Sequence, residues 1–185
     1  MKKLILIIYC LGLISLGVWA QKAYKKDNKL ILDCSASSGF PQRAVEKNKK
    51  QKCVLGAPSL TAFRNVSASN PYNSENDKVY IKLEVANYNL GTHGLNIGVT
   101  KMNWVDAYNG CKNLTYDGGG WRLPTQRELM MIWIFNSMFL LNSEYFWSAT
   151  ETGVQTQSWY VTFINGMTNW DAKTSLHYVR CVREL

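Results

Sequence analysis

The sequence is short of acid, short of histidine and lacks an apolar stretch long enough to cross a membrane. Its 13 acidic residues stand against 21 basic ones, a net charge of +8 over 185 residues. That imbalance suits an acidic partner. The apolar run Leu4 to Val18 falls short of the roughly 20 residues that span a bilayer. No Cys-x-x-Cys pair occurs, which argues against a structural zinc site. The two histidines, His93 and His177, lie far apart with no evident nucleophile, so they read as packing or surface residues. No internal repeat is evident, which sets solenoid architectures aside.

What is present begins with a leader. Met1-Lys2-Lys3 is a positive start, Leu4 to Val18 is apolar, and Val18-Trp19-Ala20 ends in a small residue. Residues 1–20 are predicted to be a secretory signal peptide, with Gln21 as the mature N-terminus. Cys10 follows Tyr9 in mid-segment, which disfavours a lipoprotein. Loss of Lys2 and Lys3 with the leader takes the net charge from +8 to +6. The expected location is secreted, periplasmic or cell-surface, with no membrane span after cleavage. Four cysteines remain: Cys34, Cys53, Cys111 and Cys181. An even number in an exported chain suggests two disulfides, and spacing leaves three pairings open.

Residues 21–77 read as a polar, basic extension and 78–185 as the compact domain. Within the extension, Lys29 to Asp33 suits one short strand. Lys47, Lys49, Lys50 and Lys52 form a cluster without acid, either a solvated loop or a patch for an acidic partner. Asn70-Pro71 and Asn76-Asp77 mark turns. Val79 to Ala86 alternates as a half-buried strand does. Asn103 can cap a helix to about Leu114 that puts Trp104, Ala107, Tyr108 and Cys111 on one face.

The centre of the chain is Gly118-Gly119-Gly120-Trp121-Arg122-Leu123-Pro124-Thr125-Gln126-Arg127-Glu128-Leu129. Glycines give a loop, and Pro124 holds Leu123 extended. Thr125 with Glu128 forms a capping box that should start a helix running to about Ser137. That helix is apolar round most of its circumference, so it should be enclosed or lie on a partner chain. Strands follow at Tyr145 to Thr150, Ser158 to Phe163, Met167 to Trp170 and His177 to Arg183. Asn165-Gly166 signals a two-residue hairpin turn. The predicted class is α+β.

The glycine-to-helix stretch resembles the Gly-Gly-Trp-Arg-Leu-Pro-Thr-x-x-Glu-Leu signature of a bacterial family of C-type-lectin-like fold. That family is typified by the C-terminal domain of a Legionella collagen-like adhesin. Tyr145 to Glu151, with Trp147, resembles the family's aromatic strand. Trp159, Val161, Phe163 and Gly166 resemble its hairpin, and Val179 to Arg183 its ending. The resemblance covers about Val79 to Arg183, with nothing in Gln21 to Asp77 taking part. It implies a tie from the first helix to the last strand, Cys111 to Cys181, which leaves Cys34 for Cys53. Such a tie closes a long loop and stabilises by an estimated few kcal/mol, on the order of 4. Trp121, Arg122, Leu123, Pro124, Thr125, Glu128 and Trp147 are implied to be structural.

Calcium-dependent lectins of this fold use Glu-Pro-Asn or Gln-Pro-Asp with Trp-Asn-Asp. Only Asn169-Trp170-Asp171 has those residues here, in another order, so no metal or cofactor is expected. Formylglycine-generating enzymes share the fold but need a redox cysteine pair that is missing here, and no catalytic residue is assigned. Tryptophans are more often core than sugar platforms, and Trp170, beside the hairpin, is the one to test for exposure and stacking. Lys173, Arg180 and Arg183 add positive charge near the C-terminal hairpin. The expectation is a non-enzymatic, exported binding module for surface adhesion. Its candidate contacts are Trp170, Asn169, Asp171, Lys173 and the cluster Lys47 to Lys52. The partner would be a glycan or glycosaminoglycan-like acidic polymer, or protein subunits of a surface assembly, and not nucleic acid. The alternatives are a structural subunit, as of a fimbria, and an enzyme of the same fold.

Overall fold

The computed structural model describes residues 22–35, 56–64, 82–91, 100–139, 141 and 143–185. Residues 1–20, Cys53, His93 and the Lys47 to Lys52 cluster lie outside the described residues. Two antiparallel sheets carry the fold. The first has the order β1-β2-β3-β7, from Lys22–Lys26, Lys29–Asp33, Lys82–Val85 and Val182–Glu184. The second has the order β4-β5-β6, from Tyr145–Glu151, Gln157–Thr162 and Thr168–Ala172. The helices are α1 (Trp104–Lys112), α2 (Gln126–Ile134) and α3 (Asn136–Phe139). The chain is therefore α+β, as its element order predicts.

The N-terminal extension is not separate. β1 and β2 form a hairpin whose turn residues Asp27 and Asn28 both have positive φ, 49° and 63°. That is the turn geometry that matches strand twist. β2 then pairs with β3, Leu32 opposite Leu83, and β3 pairs with β7. Leu30 and Leu32 are buried in the same core as Leu83, Ile132, Phe146, Val161 and Val182. The expected strand 29–33 is β2, but a boundary near residue 77 cuts through this sheet. β3 also departs from half-burial: Leu83, Glu84 and Val85 are all buried. Arg183 and Lys29 neutralise Glu84 there, at 2.7 Å and 3.6 Å.

A second core gathers Trp104, Ala107, Cys111, Trp121, Leu123, Trp147, Val179 and Cys181 around α1. Cys111 and Cys181 are bonded within it, their Cα atoms 5.5 Å apart. Cys34 is a buried thiol with no disulfide partner among the described residues, and Cys53, its expected partner, lies outside them. Burial first, and the charges of Glu128 and Asp33 next, push the Cys34 pKa up to about 12.

The central motif is as the sequence predicts. Thr125 caps α2, and Glu128 closes the box by accepting the Thr125 N–H at 2.9 Å. Arg122 holds the same carboxylate through two 2.8 Å bonds and is bridged to Val182 by its backbone. Leu123 is buried, and the Pro124 carbonyl accepts the Ala149 N–H at 2.7 Å. Trp121 is buried, stacked on Tyr116 and covered by Arg183. In α2, Leu129, Met131 and Ile132 are enclosed, while Ile134 and then Met138 of α3 remain exposed. The β5–β6 turn is longer than two residues: Thr162 N–H bonds to Met167, leaving residues 163–166 as its loop.

Candidate functional site

The expected contact residues 169–171 lie on β6, an edge strand of the second sheet, and strand alternation splits them. Asn169 stands opposite Tyr160 and Asp171 opposite Ser158, while Trp147 also stands opposite Tyr160. These residues therefore share a face with Tyr145, whose partner is Thr162. Trp170 points to the other face, opposite Trp159, and is 50% exposed. Trp170 is therefore open to solvent, but it cannot act together with Asn169 and Asp171.

On the first face the chain adds His177. Two backbone bonds with Met102 fix its position, and the Trp147 indole N–H donates to Met102 O at 2.9 Å. The imidazole lies 4.3 Å from the Trp147 ring, 4.8 Å from Tyr160 and 5.8 Å from Tyr145. Its Nε2 is 3.2 Å from Asp171 Oδ2, within ion-pair reach, yet without a well-aligned hydrogen bond. The contact is therefore one of charge more than of direction. Burial lowers the His177 pKa, Asp171 opposes that, and Lys101 adds to it. Burial likewise raises the Tyr160 pKa, helped by the Asp171 charge and opposed by a hydrogen bond from Asn169. Lys101 and Glu144 pair at 3.4 Å, and Lys101 also lies over the Tyr178 ring. The result is two partly open tyrosine rings, an imidazole, an amide and a carboxylate on one side of the β4–β5–β6 sheet. Such a set can stack on an apolar ring face and hydrogen-bond around its rim.

Asn169 Oδ1 and Asp171 Oδ1 accept backbone N–H groups of β6 at 2.8 Å and 2.7 Å. Among the described residues, no three His, Cys, Asp or Glu side chains gather as metal ligands.

Lys173 is not a surface contact. It is wholly buried, with Nζ 2.7 Å from Glu151 Oε1, 3.0 Å from Ala62 O and 4.5 Å from the Trp104 ring. Glu151 also accepts the Arg64 backbone N–H at 2.9 Å and 3.1 Å. Burial lowers the Lys173 pKa, Glu151 opposes this, and the Arg64 charge adds to it. Arg180 and Arg183 are buried too, bonded to Ala86 O and to Glu84 respectively. Sequence reading missed this because a lysine near a hairpin carries no local sign of its burial. It missed Arg64 for the related reason that its partners lie far along the chain, while His177 is the packing residue it was expected to be, with neighbours the sequence does not name.

The family comparison extends further than the motif resemblance did. A family model of the Lcl C-terminal domain matches residues 18–183, so β1 and β2 are part of the match. No curated protein matches the chain. With the match running from the first strand to the last, this chain belongs to the Lcl C-terminal domain family.

Proposed function

We propose that the chain is an exported, non-enzymatic binding module of C-type-lectin-like fold that contributes to adhesion at the bacterial surface by holding a glycan. The fold assignment draws support from the disulfide between α1 and the segment before β7, and from two helices packed on antiparallel strands. The observation that carries the binding reading is the face formed by Tyr145, Tyr160, Asn169, Asp171 and His177. Aromatic rings that are anchored on one edge and open on the other offer stacking area at little entropic cost. Glu128, the obvious carboxylate for acid catalysis, is instead consumed by Arg122 and the Thr125 N–H, which favours binding over chemistry.

A glycan array, run with and without calcium, tests the reading. Binding should be insensitive to calcium, and Tyr160→Ala should weaken it on the order of tenfold, the worth of one stacked ring. Trp170→Ala, on the opposite face, should leave it intact. Equal loss with both variants would move the site off this face. The second reading, a structural subunit, is favoured by one observation: Ile134 and Met138 are 58% and 42% exposed at the α2–α3 turn. Sedimentation of the mature chain decides between a monomer and an assembly that covers them.

A further inference from the structure

The 56–64 loop lies against α1 and leaves a cleft of about 450 Å³ between them, lined by Gly56, Pro58, Arg64, Tyr108, Asn109 and Lys112. This is the size of a sugar-unit or small-metabolite pocket. Its charge is unusual. Arg64 is only 4% exposed, and its Nη1 donates to the Tyr108 hydroxyl at 2.8 Å, with the guanidinium 4.5 Å over that ring. Its Nε has no hydrogen-bond partner. Glu151, the acid near Arg64, is committed to the Lys173 ammonium and to Arg64's own backbone N–H. No ion pair to the Arg64 side chain forms among the described residues. Lys112 adds a second positive charge at the rim, and Tyr108 and Asn109 add polar groups. A buried cation with an unused donor is costly unless an anion meets it.

We propose that this cleft binds an oxyanion group, a carboxylate or sulfate carried by a small, sugar-sized ligand, with Arg64 as the buried anchor and Lys112 as the rim charge. The site is distinct from the β4–β5–β6 face and does not depend on it. The guanidinium supplies a planar donor fork and the Tyr108 ring holds it flat, which suits an oxyanion better than a neutral hydroxyl.

The test is a backbone-amide NMR titration of the mature chain at low ionic strength with glucuronate, glucose 6-sulfate and glucose. The acidic sugars should shift the amides of Tyr108, Asn109 and Lys112, and glucose should not. The stronger of the two acids tells carboxylate from sulfate. Arg64→Lys keeps the charge but loses the fork and should weaken binding on the order of tenfold. Lys112→Gln, at an exposed position, should weaken it by about threefold and more so at low salt. It also keeps the test open if the Arg64 variant fails to fold. Lys25→Gln, on β1, controls for general charge and should leave the affinity unchanged. Three results would each overturn the proposal: no shifts at tens of millimolar acid, equal shifts with glucose, or affinity indifferent to Lys112→Gln.

Discussion

His177 shows how a single residue acquires a property from surroundings that are distant in sequence. Its ring is enclosed by Trp147, Tyr160 and Tyr145, and the charged groups facing it are Asp171 and Lys101. Burial dominates, so the folded chain holds a proton on this imidazole less readily than the unfolded chain does. The unfolded state then protonates first as pH falls. Stability should be level above the ordinary value of 6.5 and decline as pH drops below it toward the depressed folded value. Thermal melts between neutral pH and mild acid should show that decline, and His177→Asn should flatten it relative to the parent. Because the comparison is between variants, His93 and the carboxylates other than Asp171, the partner of His177, cancel. A parent and variant that decline in parallel would mean that the His177 pocket carries no proton penalty. The same residue marks a limit of sequence reading: a lone histidine in a strand looks inert until its three aromatic neighbours are brought from elsewhere.

At the scale of elements, what could be read was what is local. The Thr125–Glu128 capping box, the Asn103 cap of α1 and the strand segments that become β4, β5 and β6 all follow from residues within a few positions of one another. The polar stretch Lys22–Lys26 hides the β1–β2 hairpin from a hydrophobic pattern, although its Asp27-Asn28 turn is a usable signal. The β5–β6 turn lies where Asn165-Gly166 signals it, with a longer loop than that dipeptide predicts. Its Gly166 answers to two demands at once. It holds φ at +75°, and a Cβ there would sit 2.5 Å from the Trp133 ring of α2. Asn165-Gly166 thus locks the hairpin against the helix as well as turning the chain. Gly166→Ala should cost about 2–4 kcal/mol from left-handed strain plus overpacking. In a Trp133→Leu background only the strain should remain, about 1–2 kcal/mol. Urea unfolding of the four chains measures both, and equal costs in the two backgrounds would show that the ring contact is not what fixes the glycine.

For the whole molecule the open matter is where its excess positive charge is presented. Formal charge counts Lys173, Arg180 and Arg183 with the rest, but the fold spends them internally on Glu151, Ala86 and Glu84. On the first sheet, Lys22, Lys25 and Lys26 lie exposed on the edge strand β1, where lysines also guard against edge-to-edge pairing. The cluster Lys47, Lys49, Lys50 and Lys52 lies outside the described residues. A polyanion reads exposed charge only, screened over about 10 Å at 0.1 M salt. Heparin should therefore retain the chain in a salt-dependent way. Replacing Lys47, Lys49, Lys50 and Lys52 by Gln should move elution to clearly lower salt, and replacing Lys22, Lys25 and Lys26 should move it by less, since four charges exceed three. Lys173→Gln removes the same unit of charge but leaves Glu151 buried without its ammonium, so its effect should appear as lost stability, about 3–5 kcal/mol, with elution of the folded fraction unmoved. Elution shifted by Lys173→Gln at unchanged melting temperature would mean that this lysine reaches solvent. Flow-through at low salt would end the polyanion reading and leave the neutral-glycan face and the Arg64 cleft as the two sites to pursue.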